Sequence, residues 1–221
     1  IRFWSAIEGD LSRNDLKCSE ERILAELKTL NKLLNVSRFS MLFDKPTKKP
    51  KLEKLDELFL NEIDSLTNFC EKSYDAYDFY RPAQSLRRFL WDAFASHYLE
   101  LIKARVYNQK KNFSIEESDS AKYTLHYLLE RLLFLLYPII PQITSTIAKE
   151  KGIDLLNCEW PKINKKKFDA KLIEKIMEFN SEVWKKKKEG GISLANEISE
   201  IKIPKELKDF EKDLKACHNL I

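Results

Sequence analysis

The chain has 221 residues, 43% hydrophobic and 33% charged, with 39 Lys+Arg against 35 Asp+Glu. That is enough to bury a sizeable core in one or two domains, while a formal charge of +4 does not by itself demand a nucleic-acid partner. No apolar run approaches the roughly 18 residues of a membrane span, no signal-peptide pattern opens the sequence, and no membrane partner is expected. Cys18, Cys70, Cys158 and Cys217 are scattered without a CxxC pair or histidines at ligand spacing. Neither a disulfide framework nor a metal site is expected, and a reducing, cytoplasmic setting is the simpler context. Ile1-Arg2-Phe3-Trp4 reads as mid-protein sequence, so residues 1–18 are expected to be the end of a linker from a preceding domain.

Only four glycines and long stretches of 3.6-residue periodicity predict a helical protein. A first strong helix is predicted over 19–43, with Ser19 as N-cap and Glu20 and Glu21 suited to the helix dipole. Its apolar face carries Ile23, Leu27, Leu30, Leu34 and Met41. KPTKKP at 45–50 ends it, because two prolines cannot continue a helix. A second helix spans about 52–77. The Asp78 to Pro82 corner opens a third, running to Tyr107, with Pro82 tolerated in the first turn.

Residues 108–117 read as a polar connection. A very apolar helix over 120–137 (LLERLLFLLY at its end) is expected to be the buried centre of a bundle. Pro138 and Pro141 break it, and a short helix follows to Lys149. From Asp154 the character changes. Cys158-Glu159-Trp160-Pro161 is an extended packing segment, and a lysine-rich helix over 169–189 is capped by Gly190-Gly191. Ile198, Ile201 and Ile203 suggest one strand, and Pro204 opens a last helix. The fold class is therefore mainly α: an antiparallel helical bundle over 19–153, then a small α+β extension over 154–221 built as helix-strand-helix.

Catalytic signatures are missing: there is no GxGxxG, GxxxxGK[ST], HExxH or GxSxG. His97, His126 and His218 stand apart, and His97 projects with an apolar face, as a satisfied core histidine would. Lysines cluster at 45–51, 165–167 and 185–188, either as solvated faces or as phosphate-facing patches.

The binding signal is more informative. Residues set at 100° steps on the first helix place Lys28, Asn31, Lys32, Asn35, Arg38 and Phe39 opposite the apolar stripe. A ring beside Lys, Asn and Arg is what single-stranded RNA recognition uses: the ring stacks a base, the amide reads its edge and the cations hold phosphate. The bland alternative packs Phe39 on a neighbouring helix. On the third helix Arg87, Trp91, Tyr98 and Arg105 share one side, while Phe89, Leu90, Phe94 and Leu101 face the core. Trp91 there fits either base stacking or a cation–π contact, and Tyr98 fits a bundle seam. Arg81, Arg87 and Arg88 are the phosphate-contact candidates.

Several segments in order resemble one family. NKLLNVSRF at 31–39 resembles the KLxNxxRF helix of the anticodon-binding domain shared by valyl-, isoleucyl- and leucyl-tRNA synthetases of class I. YRPAQSLRRFLWDAFASHYLELIK at 80–103 resembles that domain's later helix. LHYLLERLLFLLYPIIPQITSTI at 125–147 is similar to its LHPFMPFITEE helix and turn, although Ser145-Thr146 replaces part of the TEE pattern. Glu159-Trp160-Pro161 resembles the WP that follows. The arginine-aromatic-Trp opening, KKKEGGISL at 186–194 and Asp213-Leu214 tilt the resemblance from the isoleucyl to the archaeal-type valyl members.

The resemblance implies a non-catalytic module that recognises the anticodon arm of valine tRNA. Lys32, Asn35, Arg38 and Phe39 would make the first contacts with the loop; Arg81, Arg87, Arg88 and Trp91 would come second. The HIGH and KMSKS motifs are absent, so no catalytic residue and no cofactor is assigned to this stretch. ATP and Mg would belong to a parent enzyme, expected to be a monomer whose catalytic domain is a further partner. The same module from an isoleucyl enzyme and a helical protein-interaction module stand as alternatives.

Overall fold

A computed structural model describes residues 1–10, 18–163, 169–199 and 201–221. The lysines at 165–167 lie outside these. Helix α1 (Arg2–Glu8) falls where the sequence suggests only a linker. It forms because Phe3 and Trp4 are both buried, and Arg2 Nε donates to the Ile139 carbonyl at 2.9 Å. Helix α2 (Glu20–Met41) begins at Ser19, whose hydroxyl accepts from the Arg22 amide. Its buried face is shifted from the predicted one: Leu27 is 49% exposed, Leu30, Leu34 and Met41 pack partly buried against the core, and Thr29, Leu33, Val36, Ser37 and Ser40 are buried. Small hydroxyls can line a core when they are satisfied locally. Ser37 donates to the Leu34 carbonyl and Ser40 to that of Val36.

Helix α3 (Lys54–Asp75) leads to an unbroken rod made of α4 (Tyr80–Arg88), a π-helical stretch (Phe89–Tyr98) and α5 (Leu99–Tyr107). The π stretch carries more residues per turn than an α-helix, so faces drawn at 100° steps lose register across it. Arg87 and Trp91 therefore lie half-buried at the surface, but Tyr98 and Arg105 turn fully inward. Their predicted common side does not exist. Helix α6 (Ile115–Leu136) starts earlier than the polar connection allowed, because Ser114 and Glu117 form a capping box. Leu125, Leu128, Leu129, Leu132, Leu133 and Leu135 are fully buried, so α6 is the centre of the bundle, as its composition predicts. Helix α7 (Pro141–Glu150) follows the proline break.

Beyond it, Trp160 packs its ring edge-on to Phe134 at 5.3 Å. Helix α8 (Ala170–Glu189) is capped by Asp169, and Gly191 takes φ +65° just beyond its end. Among the described residues no strand forms. The predicted one is reduced to a single parallel bridge between Ile198 and Leu220, because only those two short segments meet. A 3₁₀ turn (Lys205–Phe210) and α9 (Glu211–His218) complete the chain. Ile173, Ile176, Phe179, Leu207, Phe210 and Leu214 join the same core as the bundle.

Two polar centres tie this last part down. Arg105, 1% exposed, grips Asp56 with both terminal nitrogens at 2.6 and 2.9 Å and approaches Asp213 of α9 at 2.7 Å. Tyr98 and Ser120 also donate to the Asp56 carboxylate. Burial pushes the Asp213 carboxyl up to about 6; Arg105 opposes that rise and Asp56 adds to it. The second centre is a chain through Asn180. Its amide oxygen accepts from His218 Nε2 at 2.7 Å, and its nitrogen donates to His97 Nδ1 at 3.3 Å. Trp184 stacks on His97 at 5.2 Å. His97 is thus the satisfied core histidine predicted.

The lysine run at 185–188 is split. Lys187 is fully buried, donating to the carbonyls of Leu194, Asn196 and His218, while its neighbours are exposed.

Removing Arg105 strands two buried carboxylates. Arg105→Met should lower unfolding free energy by about 3–5 kcal/mol, read by urea denaturation.

A pH effect comes from His218, whose Nδ1 is buried without a partner, so protonation there has nothing to meet it. Burial first, then Lys187 and His97, lowers it from the usual 6.5 to about 4. The unfolded chain therefore holds the extra proton, and this contribution is full above pH 6.5 and is lost as pH falls toward 4. Raised Asp213 acts in the opposite sense up to about pH 6. His218→Asn should therefore gain on the wild type by up to about 3 kcal/mol between pH 7 and 4, measured as the difference of two denaturation series.

Candidate nucleic-acid interface

Three of the predicted residues meet at the seam between α2 and the long rod. The Trp91 indole N–H donates to Thr29 Oγ1 at 3.0 Å, and that hydroxyl donates to Glu26 at 2.9 Å. Arg87 Nε reaches the same Glu26 oxygen at 3.1 Å. The Lys32 ammonium sits 4.6 Å from the centre of the Trp91 ring. Trp91 is therefore held at its polar edge by Thr29 and covered on one face by a cation. Of the two readings of this residue, the structure realises the cation–π contact, with lysine rather than arginine. Arg87 is neutralised by a carboxylate that sequence reasoning did not single out.

One to two turns further along α2, Asn35 and Arg38 are exposed. Among the described residues Arg38 makes no ion pair and the Asn35 amide no hydrogen bond. Phe39 is half-buried and packs edge-on against Phe43 at 5.3 Å and Tyr107 at 6.2 Å. It combines both readings of the sequence: the ring seats on neighbouring aromatics, yet part of it stays open beside the free amide and guanidinium. Here a ring, an unengaged amide and an uncompensated cation coincide.

The remaining arginines lie elsewhere. Arg81 is exposed at the start of α4 and pairs with Asp78, which holds the Asp78 carboxyl below its usual range. Arg88 lines a separate groove of about 340 Å³ together with Glu62, Asp92 and Glu174. Burial raises the Glu62 carboxyl, opposed by the nearby Arg88. The eight predicted residues are thus not one patch: Lys32, Arg87 and Trp91 form the seam, Asn35, Arg38 and Phe39 the open face, and Arg81 and Arg88 stand apart.

Sequence reasoning missed Glu26, Thr29, Phe43 and Tyr107. Glu26 and Thr29 precede Lys32 by six and three residues on the same helix, a spacing that was legible. Tyr107 sits 68 residues from Phe39, and no local pattern joins them. Among the described residues no three His, Cys, Asp or Glu side chains gather to hold a metal, and no helix is long and apolar enough to cross a membrane.

The family profile described as the anticodon-binding domain of tRNA ligase matches residues 56–203. The chain belongs to this family. Within it the chain is similar to valine–tRNA ligases. It is 34% identical to that of Pyrobaculum aerophilum over 224 residues, covering 100% of this chain and 28% of the relative. The Aeropyrum pernix protein is 33% identical over 99% of this chain, and the Nanoarchaeum equitans protein 34% over 100%, again with 28% of each relative covered. This chain therefore spans about 28% of the length of these relatives.

Charge reversal separates the arginines. Arg38→Glu should weaken binding of an RNA stem-loop and reduce its salt slope by about one, whereas Arg88→Glu, already among carboxylates, should change both less. Filter-binding titrations at several salt concentrations read the difference.

Proposed function

We propose that this chain recognises the anticodon arm of valine tRNA on behalf of a monomeric, cytoplasmic ligase that joins valine to that tRNA using ATP and Mg. The observation that carries the reading is the open face of α2, where Asn35 and Arg38 flank the accessible part of Phe39. An unpaired base stacked on the ring would present its edge to the Asn35 amide and its phosphate to Arg38. The seam below keeps that face in place, because Trp91, Thr29, Glu26 and Arg87 fix α2 against the rod.

No adenylate chemistry is assigned to these residues. The HIGH and KMSKS signatures are absent from the sequence, so activation of valine would belong to the catalytic domain of the longer protein. The names of the relatives favour a valyl over an isoleucyl parent.

The test is a fluorescence titration of this chain with the valine anticodon stem-loop, beside one with the middle anticodon base changed, at two salt concentrations. Tighter, salt-sensitive binding of the valine loop is expected; equal binding of both loops would overturn anticodon recognition by this chain. Phe39→Leu, which keeps much of the packing volume, should cost about 1–3 kcal/mol of that affinity with little loss of stability.

A further inference from the structure

Tyr107 is 47% exposed at the end of α5, and its ring meets Phe43 at 5.0 Å and Phe39 at 6.2 Å. It therefore extends the aromatic surface of α2 across to the rod. Beside it opens a groove of about 550 Å³, within the range of about 300–1,000 Å³ typical of small-ligand clefts. One wall is the corner at 108–113, the other α9 and the residues after it. The corner is held in shape: Asn108, at φ +41°, uses its amide to bond both the carbonyl and the amide of Phe113, at 2.7 and 3.2 Å.

Four lysines line this groove, with Glu197 as the carboxylate among the lining residues. Lys103 pairs with Glu100, Lys212 with Glu117 and Lys215 with Glu211, all as solvent-facing pairs of the kind that exchange readily. Lys110 makes no ion pair among the described residues. Lys212 also lies 4.6 Å from the centre of the Phe113 ring. An exposed ring lining a cleft, with ammonium groups around it, matches a base and its phosphate.

We infer that this groove takes an unpaired RNA nucleotide stacked on Tyr107, so that α9 forms one wall of the RNA site. The inference rests on the proposed function, since Tyr107 continues the Phe39 face. It differs in assigning an RNA role to the C-terminal part of the chain. Stacking and backbone charge supply the main attraction, and Gln109 and Asn112 of the corner, which also line the groove, are the amides that could meet a base edge.

The test uses the same stem-loop with 2-aminopurine at successive loop positions, titrated against the wild-type chain, Tyr107→Leu, Tyr107→Phe, Lys110→Glu and Phe39→Leu. Tyr107→Leu should weaken binding about tenfold and abolish quenching at one loop position other than the one lost in Phe39→Leu. Tyr107→Phe should bind as the wild type does. Lys110→Glu, at an exposed site that the fold does not need, should weaken every stem-loop alike and lower the salt slope by about one. Full binding and quenching in both Tyr107→Leu and Lys110→Glu, with loss in Phe39→Leu, would overturn the inference and leave the proposed function standing. A wild-type chain that binds no stem-loop overturns both. Binding of an acidic peptide in competition with the RNA at Lys110 would assign the groove to a protein partner and also overturn it.

Discussion

The structure depends on one buried guanidinium. Arg105 reaches Asp56 on α3 and Asp213 on α9 from its place on α5, and Ser120 of α6 closes on the same Asp56 carboxylate. A buried cation tolerates little misplacement, because each partner displaced leaves a charge without compensation. The ends of four helices are therefore brought to one point. Tyr107 and the corner after it follow Arg105 by only two residues, so the shape of the aromatic face is set by the same grip.

The seam between α2 and the rod works on softer terms. A single Glu26 oxygen serves both Thr29 and Arg87, and the Trp91 indole hangs from Thr29. Thr29 is buried, but Arg87 is partly open to solvent, so the ion pair's strength lies in geometry more than in energy. The π-helical stretch makes this possible. It lets Trp91 meet α2 at the surface while Tyr98 and Arg105, later on the same rod, point into the core. A uniform α-helix would have placed all of them on one side.

Much of the architecture was legible. Ser19, the proline pairs and Gly190-Gly191 mark boundaries that the structure keeps, and the leucines of α6 announce its burial. What failed were inferences that treat polarity as exposure. Serines satisfied within their own helix, an arginine shared by two carboxylates and a lysine among carbonyls are all polar and all buried. The strand at 198–203 failed for a different reason: alternation supplies a candidate edge, but a ladder also needs a partner of matching length, and Leu220 offers one position. Of the proposed recognition face, the shared exposure of Asn35 and Arg38 on α2 follows from their spacing. Tyr107 was not readable in this way, because its link to Phe39 exists only after the rod has docked.

Lys187 joins two segments that are distant in sequence. Its ammonium is shared by the carbonyls of Leu194, Asn196 and His218, which belong to the segment after α8 and to the end of α9. Neither of those segments satisfies the buried ammonium alone, so full satisfaction of Lys187 needs both in place. Lys187 thereby couples the segment at 192–198 to the end of α9, and amide protons in the two are expected to exchange with solvent together and not piecemeal.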